Sequence, residues 1–289
     1  MKNFSGRVAV ITGAASGIGR AMAFRFAAEG MKTVLADVEV APLLLVENEL
    51  RQQGATALAV PTDVSKLESL EALKERVLSA YGAVHVLCNN AGVNAPEGPL
   101  WERTIDDWEW VLNVNLWGTV HGLHSFLPLM LAAREEGHIV NTASRDGFIA
   151  GPLLGIYRAS KHAVVSLTET LYFELAMIGS KVKVSLLCPG LVQTRIRQSE
   201  RNRPTELRST QQPGTSVLPQ TGDSPGISPD QVADHVINAI RNERFYVFTG
   251  DQEKVHIQAR SEWIMAERNP TFLESRAMRL RRLQLMRAQ

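Results

Sequence analysis

The 289 residues carry 31 Lys and Arg against 30 Asp and Glu, a net charge of +1 that offers nucleic acid or a membrane surface no global field to follow. Hydrophobic residues at 45% and charged ones at 21% are the balance of a soluble globular chain, long enough for one large domain or two small ones. The apolar runs are too short to span a bilayer, residues 1–12 show no signal-peptide pattern, and Cys88 and Cys188 each end an apolar run, so buried strand thiols in a reducing cytoplasm are expected.

In chain order, apolar strands alternate with amphipathic helices. A strand at 7–12 (RVAVIT) runs into TGAASGIG and a helix over 17–30. Gly13 permits the tight turn out of the strand; Gly17 and Gly19 let backbone approach a pyrophosphate at a helix N-terminus, with Ser16 and Ile18 in the same turn. The second strand, 32–37, ends in Asp37, 18 residues after Gly19, where a carboxylate can accept from both hydroxyls of an adenosine ribose and repel a 2′-phosphate. Val38 follows it, and Ala14–Ser16 holds no Arg or Lys for a 2′-phosphate, so NAD is expected rather than NADP. A helix at 42–53 leads to a strand at 56–60 and then to TDVS, where Asp63 can bond the adenine amino group beside Val64. Ser65 and Glu68 have the spacing of a capping box opening a helix at 66–81, and Gly30, Gly54 and Gly82 suit helix ends.

A strand at 84–89 is followed by NNAG, with Asn90, Ala91 and Gly92 at the sheet edge, and a long helix is expected over 104–133. His121 and His124 lie three apart on it without an acidic or Cys partner and read as structural, so no metal site is expected. The strand at 138–142 leads to Ser144, the helix at 155–178 contains YRASK, and the strand at 182–188 leads to PGLVQT. Tyr157 and Lys161 stand four apart and share a helix face. Residues 195–228 form a polar, proline-bearing stretch that reads as a lid. Ser228 caps a helix at 229–242 beginning with Pro229, and a last strand at 245–248 precedes a helical tail over 251–289, whose basic, Leu-rich end at 279–287 is expected to pack its apolar stripe on the protein or a second subunit. The whole describes an α/β fold: one Rossmann-like domain over 1–250, a doubly wound parallel sheet of about seven strands with helices on both faces, plus the tail. Ligands of such a sheet bind where the strands end, and the residues singled out lie there.

The spacing G-x-x-x-G-x-G, with NNAG and YRASK in this order, resembles the short-chain dehydrogenase/reductase family from about residue 5 to 194. The resemblance implies that Tyr157 is the acid–base group and Lys161 its partner, holding nicotinamide ribose; that Ser144 holds the substrate oxygen; and that the backbone of Asn115 anchors a water beside the lysine. It further implies that Pro189, Gly190, Val192 and Thr194 border the nicotinamide, and that the chain pairs as a homodimer or homotetramer through 104–133 and 155–178. A free phenol titrates near 10, so a neighbouring ammonium and an oxidised nicotinamide are expected to lower Tyr157. The implied activity is NAD-dependent interconversion of a secondary alcohol and a ketone. Val93, Asn94, Trp101, Phe148, Leu153, Leu154 and Leu191 suggest a bulky, largely apolar substrate, hydroxysteroid-like or an aryl alcohol. An NADP-dependent carbonyl reductase and a nucleotide-sensing protein without chemistry are the alternatives; Asp37 argues against the first, and the intact set Asn115, Ser144, Tyr157 and Lys161 against the second.

Overall fold

The computed structural model describes residues 1–208 and 226–271. Seven strands, β1 (Val8–Thr12), β2 (Lys32–Asp37), β3 (Ala57–Pro61), β4 (Val86–Asn89), β5 (Gly137–Thr142), β6 (Val182–Cys188) and β7 (Tyr246–Phe248), alternate with α1 (Gly17–Ala28), α2 (Val40–Gln52), α3 (Leu67–Tyr81), α4 (Ile105–Leu112), α5 (Gly118–Ala133), α6 (Gly155–Met177), α7 (Pro229–Arg241) and α8 (Gln252–Met265). All pairings are parallel, in the order β3-β2-β1-β4-β5-β6-β7. The chain winds outward one way from β1 and then the other, so a crevice opens at the carboxyl ends of β1 and β4.

Both faces of the sheet are covered, which is why the strands are continuous apolar runs. Side chains alternate along β1: Ala9 and Ile11 join the layer under α1, α2 and α7 with Met22, Phe26, Leu43 and Val236, while Val8 and Val10 join the layer under α3, α5 and α6 with Leu73, Phe126 and Leu171. Cys88 and Cys188 are buried, free thiols in strands.

Local chemistry sets most element ends. Ser228 and Gln231 close a reciprocal capping box on α7, with Pro229 at its first position. Gly82 ends α3 in the left-handed conformation, φ 73°. Two expectations change. Ser65 is not the cap of α3: Lys66 occupies that position, and the Ser65 hydroxyl donates instead to Asp63 at 2.6 Å. The segment 104–133 is not one helix. A single π turn, Asn113–Trp117, separates α4 from α5. The Asn115 side chain is drawn into the Val93 backbone, and Gly118 lies so close to Val64 that a Cβ there would come within 2.8 Å of it. The described part of the tail, α8, leaves Val255, Ile264 and Met265 exposed; the basic Leu-rich stretch at 279–287 lies outside the described residues. No helix among the described residues is long and apolar enough to cross a membrane.

One core group titrates. His138, in β5, is fully buried, and its Nε2 lies 2.8 Å from the Ser185 hydroxyl, which itself donates to Arg244 O at 2.6 Å. Ser185 therefore accepts, the His138 proton sits on Nε2, and Nδ1 has no partner. Burial pulls this imidazole down from 6.5 to about 3. The unfolded chain thus binds a proton in that window that the folded chain refuses, so His138 supports stability above pH 6.5 and loses that support as pH falls toward 3. Chemical denaturation from pH 6.5 to 4.5 should show wild type losing stability faster than His138→Gln, by about 1.4 kcal/mol per pH unit; parallel profiles would contradict it.

Candidate active site

A cavity of about 960 Å³ opens at the carboxyl edge of the sheet. Gly13, Ser16, Gly17, Ile18, Asn90, Gly92, Ser144, Tyr157, Lys161, Pro189, Gly190, Val192 and Thr194, all nominated from the sequence, line it. At one end the turn after β1 delivers the N-terminus of α1. Gly13 and Gly17 have positive φ (69° and 54°), and a Cβ on Gly19 would lie 2.1 Å from Gly13 O, so backbone folds flat against backbone. Ser16 makes no side-chain capping bond, and the first amides of α1 have no intrahelical acceptor. Amides so placed could cradle an anion such as a dinucleotide pyrophosphate.

Asp37 is buried at the end of β2. Its carboxylate accepts from Ala15 N and Glu39 N, both at 3.0 Å, and burial still holds its carboxyl above the ordinary range. Val38 is exposed beside it. After β3, Asp63 accepts from the Ser65 amide and hydroxyl, and Val64 is buried against Gly118. These four lie along the ends of β2 and β3, flanking the cavity rather than lining it. Ala91 backs the turn, its Cα 2.9 Å from where a Gly13 Cβ would stand.

At the other end, Ser144 Oγ accepts from Asp146 N at 3.1 Å and makes only a long 3.4 Å contact to Pro189 O. The Ser144 hydroxyl faces the Tyr157 hydroxyl closely enough to favour the phenolate. Burial, with a smaller contribution from the Asp146 charge, pushes the phenol above its ordinary value, while the Ser144 hydroxyl and the Arg145 charge oppose this. Burial thus works against the lowering expected from the ammonium and an oxidised nicotinamide together; Lys161 Nζ stands 5.7 Å from the Tyr157 ring centroid and donates to Thr142 O at 2.8 Å. Burial pulls the Lys161 ammonium down to about 8. Asn115 sits behind this pair: its amide accepts from Val93 N at 2.8 Å and donates to Val93 O and Ser160 Oγ, both at 3.0 Å, and Ser160 donates to Tyr157 O at 2.7 Å.

Residues 195–208 cross the opening as two short 3-10 turns, Ile196–Asn202 and Thr205–Leu207. Arg201 grips Glu39 through Nε and Nη2 at 3.1 and 2.9 Å, and Arg203 is buried on Asp107 at 2.7 Å, so the segment is tied to both α2 and α4. The rest of the expected lid, 209–225, lies outside the described residues. Val93, Asn94, Leu154 and Leu191 belong at the cavity or its wall, as expected, but three residues do not. Trp101 is 78% exposed, Leu153 is not in the lining, and Phe148 packs its ring on Phe248 and Tyr246. Arg145, Asp146, Arg158 and Glu97 add charge to the wall.

The sequence reading missed Thr12, whose hydroxyl donates to Cys88 O and accepts from Asn90 N and Ala91 N, and Glu39, the anchor of Arg201. Neither carries a local signal. Ser160, inside YRASK, could have been found from its place one turn from Asn115's target. His121 is held by Val64 O at 2.9 Å, which fits its structural reading.

Residues 7–205 match the family model described as short chain dehydrogenase. A short chain dehydrogenase/reductase from Burkholderia phymatum, solved in complex with NAD, is 46% identical and superposes with a TM-score of 0.92 over 95% of this chain and 100% of that one. The 1-deoxy-11-beta-hydroxypentalenate dehydrogenase of Streptomyces avermitilis is 35% identical over 272 residues, 92% of this chain and 94% of that protein. An alcohol dehydrogenase of the archaeon Thermococcus sibiricus, complexed with 5-hydroxy-NADP, is 29% identical with a TM-score of 0.71 over 84% of this chain and 96% of that one.

Gly19→Ala forces a Cβ against a backbone carbonyl that cannot turn away. It should weaken NADH binding at least tenfold in a fluorescence titration and lower Tm; wild-type affinity would show that the turn is not the cradle.

Proposed function

The chain belongs to the short-chain dehydrogenase family and is an oxidoreductase of the alcohol dehydrogenase type, and on that premise we propose that it interconverts a bulky secondary alcohol and its ketone with NAD. The convergence of Ser144, Tyr157 and Lys161 on one cavity with the anion cradle of α1 carries this reading.

The Ser144 oxygen is already occupied by the Asp146 amide, and its contact to Pro189 O is long. Its hydrogen, which faces the Tyr157 oxygen, can turn to a substrate oxygen bound between the two and stabilise charge growing there. Tyr157, facing the same hydroxyl, accepts the carbinol proton as phenolate and returns it when a ketone is reduced. Lys161 spends one N–H on Thr142 O and keeps two for the ribose hydroxyls and the phenol side. With its pKa pulled to about 8, it can release and regain a proton near neutral pH. The Asn115 amide, through Ser160, fixes the backbone of Tyr157, and its own backbone is the candidate anchor of a water leading from Lys161 to solvent. A nicotinamide bound between Gly92 and Thr194 supplies the hydride acceptor.

Asp37 favours NAD. Its carboxylate, fixed by two amides at the end of β2, suits the hydroxyls of an unphosphorylated ribose and opposes a 2′-phosphate. The NAD complex of the Burkholderia phymatum relative supports the choice. The size of the cavity, with Val93, Leu154 and Leu191 on its wall, favours a substrate with a bulky apolar body. Residues 195–208 serve as its lid. Tyr172, Phe173, Met177 and Ile178 are exposed around the end of α6 and support pairing with a second copy. A cytoplasmic location fits the two free buried thiols.

Tyr157→Phe should lower turnover of a secondary alcohol by about 100- to 10,000-fold while NADH binding stays within twofold. Retained turnover, read at 340 nm, would remove the phenol from the chemistry. Asp37→Ala should shift the ratio of NADP to NAD dissociation constants toward NADP by about tenfold or more, the value of one lost charge repulsion. An unchanged ratio would mean that another group sets the preference.

A further inference from the structure

Arg145 follows Ser144 directly, and its backbone is fixed on both sides: its amide donates to Pro189 O and its carbonyl accepts from Phe148 N, both at 3.0 Å. Its side chain is half-buried and lines the cavity. Among the described residues its guanidinium makes no hydrogen bond and no ion pair. The neighbouring carboxylate does not neutralise it, because Arg158 Nε holds Asp146 Oδ1 at 2.9 Å, with those side chains only 13% and 14% exposed. The Arg145 charge nevertheless reaches the Tyr157 hydroxyl. A planar fork of five donors thus lines the cavity of Ser144 and Tyr157, with the acid next to it in sequence committed to Arg158.

A cofactor phosphate does not account for it. The anion cradle lies after β1, whereas Arg145 lies after β5, two strands further along the sheet, about 10 Å away at the usual strand spacing. Arg145 belongs to the end of the cavity that holds Ser144 and Tyr157. Arg145, on a wall that also carries Val93, Leu154 and Leu191, matches a molecule with an apolar part and one anionic group near its carbinol.

We propose that Arg145 is a specificity residue that binds a carboxylate, so that the substrate is a bulky hydroxy acid or the corresponding keto acid. The proposal rests on reading this cavity as the alcohol site. Arg158 is a positioning residue in it, keeping Asp146 off Arg145.

The test separates binding from turnover. Phenylalkanoates with two to four chain carbons, and their methyl esters, are titrated calorimetrically into the full chain saturated with NADH. At least one acid should bind ten- to hundredfold tighter than its ester, the range of a charge-assisted hydrogen bond, and the advantage should shrink with added salt. In Arg145→Gln the acid-to-ester ratio should fall to near one. Should that chain not fold, Arg145→Lys keeps the charge but not the fork, and its ratio should drop at least threefold. Esters that bind as well as every acid in wild type, or a ratio unchanged by either substitution, overturn the proposal. Oxidation of the matching hydroxy acids and hydroxy esters is followed separately at 340 nm. Acid preference without oxidation of any alcohol would retain the anion subsite and remove the dehydrogenase substrate reading; oxidation without acid preference would do the reverse.

Discussion

The Thr12 hydroxyl donates to Cys88 O at 3.2 Å and accepts from Asn90 N and Ala91 N at 2.9 and 3.0 Å. One side chain thereby ties β1 to β4 at the place where the sheet order reverses. Asn90 completes the knot, donating to Thr12 O and accepting from Thr142 at the end of β5. The backbone of Thr142 in turn holds Lys161. The glycine-rich turn, the strand-end loop and the lysine of α6 are therefore parts of one hydrogen-bonded edge. A shift of any of these strands would move the anion cradle relative to Ser144 and Tyr157.

Burial governs the charge states at that edge. It raises Tyr157 and lowers Lys161, in each case favouring the neutral form. Asp146, whose charge raises the phenol further, is held by Arg158. The protein's own groups thus favour the neutral phenol and the neutral amine, and the carboxylate next to Arg145 in sequence is paired elsewhere. A site of this kind gains most from ligands that bring charge with them. The cradle of α1 asks for an anion at one end of the cleft, and Arg145 asks for one at the other. The lid segment is held independently of both, by Arg201 on Glu39 and Arg203 on Asp107.

Much of this was legible along the chain. Strand positions follow from apolar runs covered on both faces, the glycine turn from its place between strand and helix, and Ser144 and YRASK from the resemblance to the family. The sequence misled where an element depended on a distant partner. Residues 104–133 have unbroken helical character, yet the Val93 backbone claims Asn115 and the helix opens by a π turn. Ser65 has the spacing of a cap, yet Asp63 takes its hydroxyl. Phe148 and Trp101 look like pocket aromatics, yet one packs on Phe248 and the other faces solvent. The direction in which burial pushes the phenol, and the turning of the Lys161 ammonium to Thr142 O, also depend on distant partners.

The sequence by itself determined the parallel α/β architecture and the glycine turn between β1 and α1, since both rest on short-range periodicity and steric rules acting within a few residues. Only the tertiary structure decided which polar groups meet. Asp146 could pair with Arg145 beside it or with Arg158 twelve residues on, and Lys161 could face Tyr157 or the Thr142 carbonyl. Such choices depend on burial and on acceptors supplied by other strands, which no local window of the chain contains.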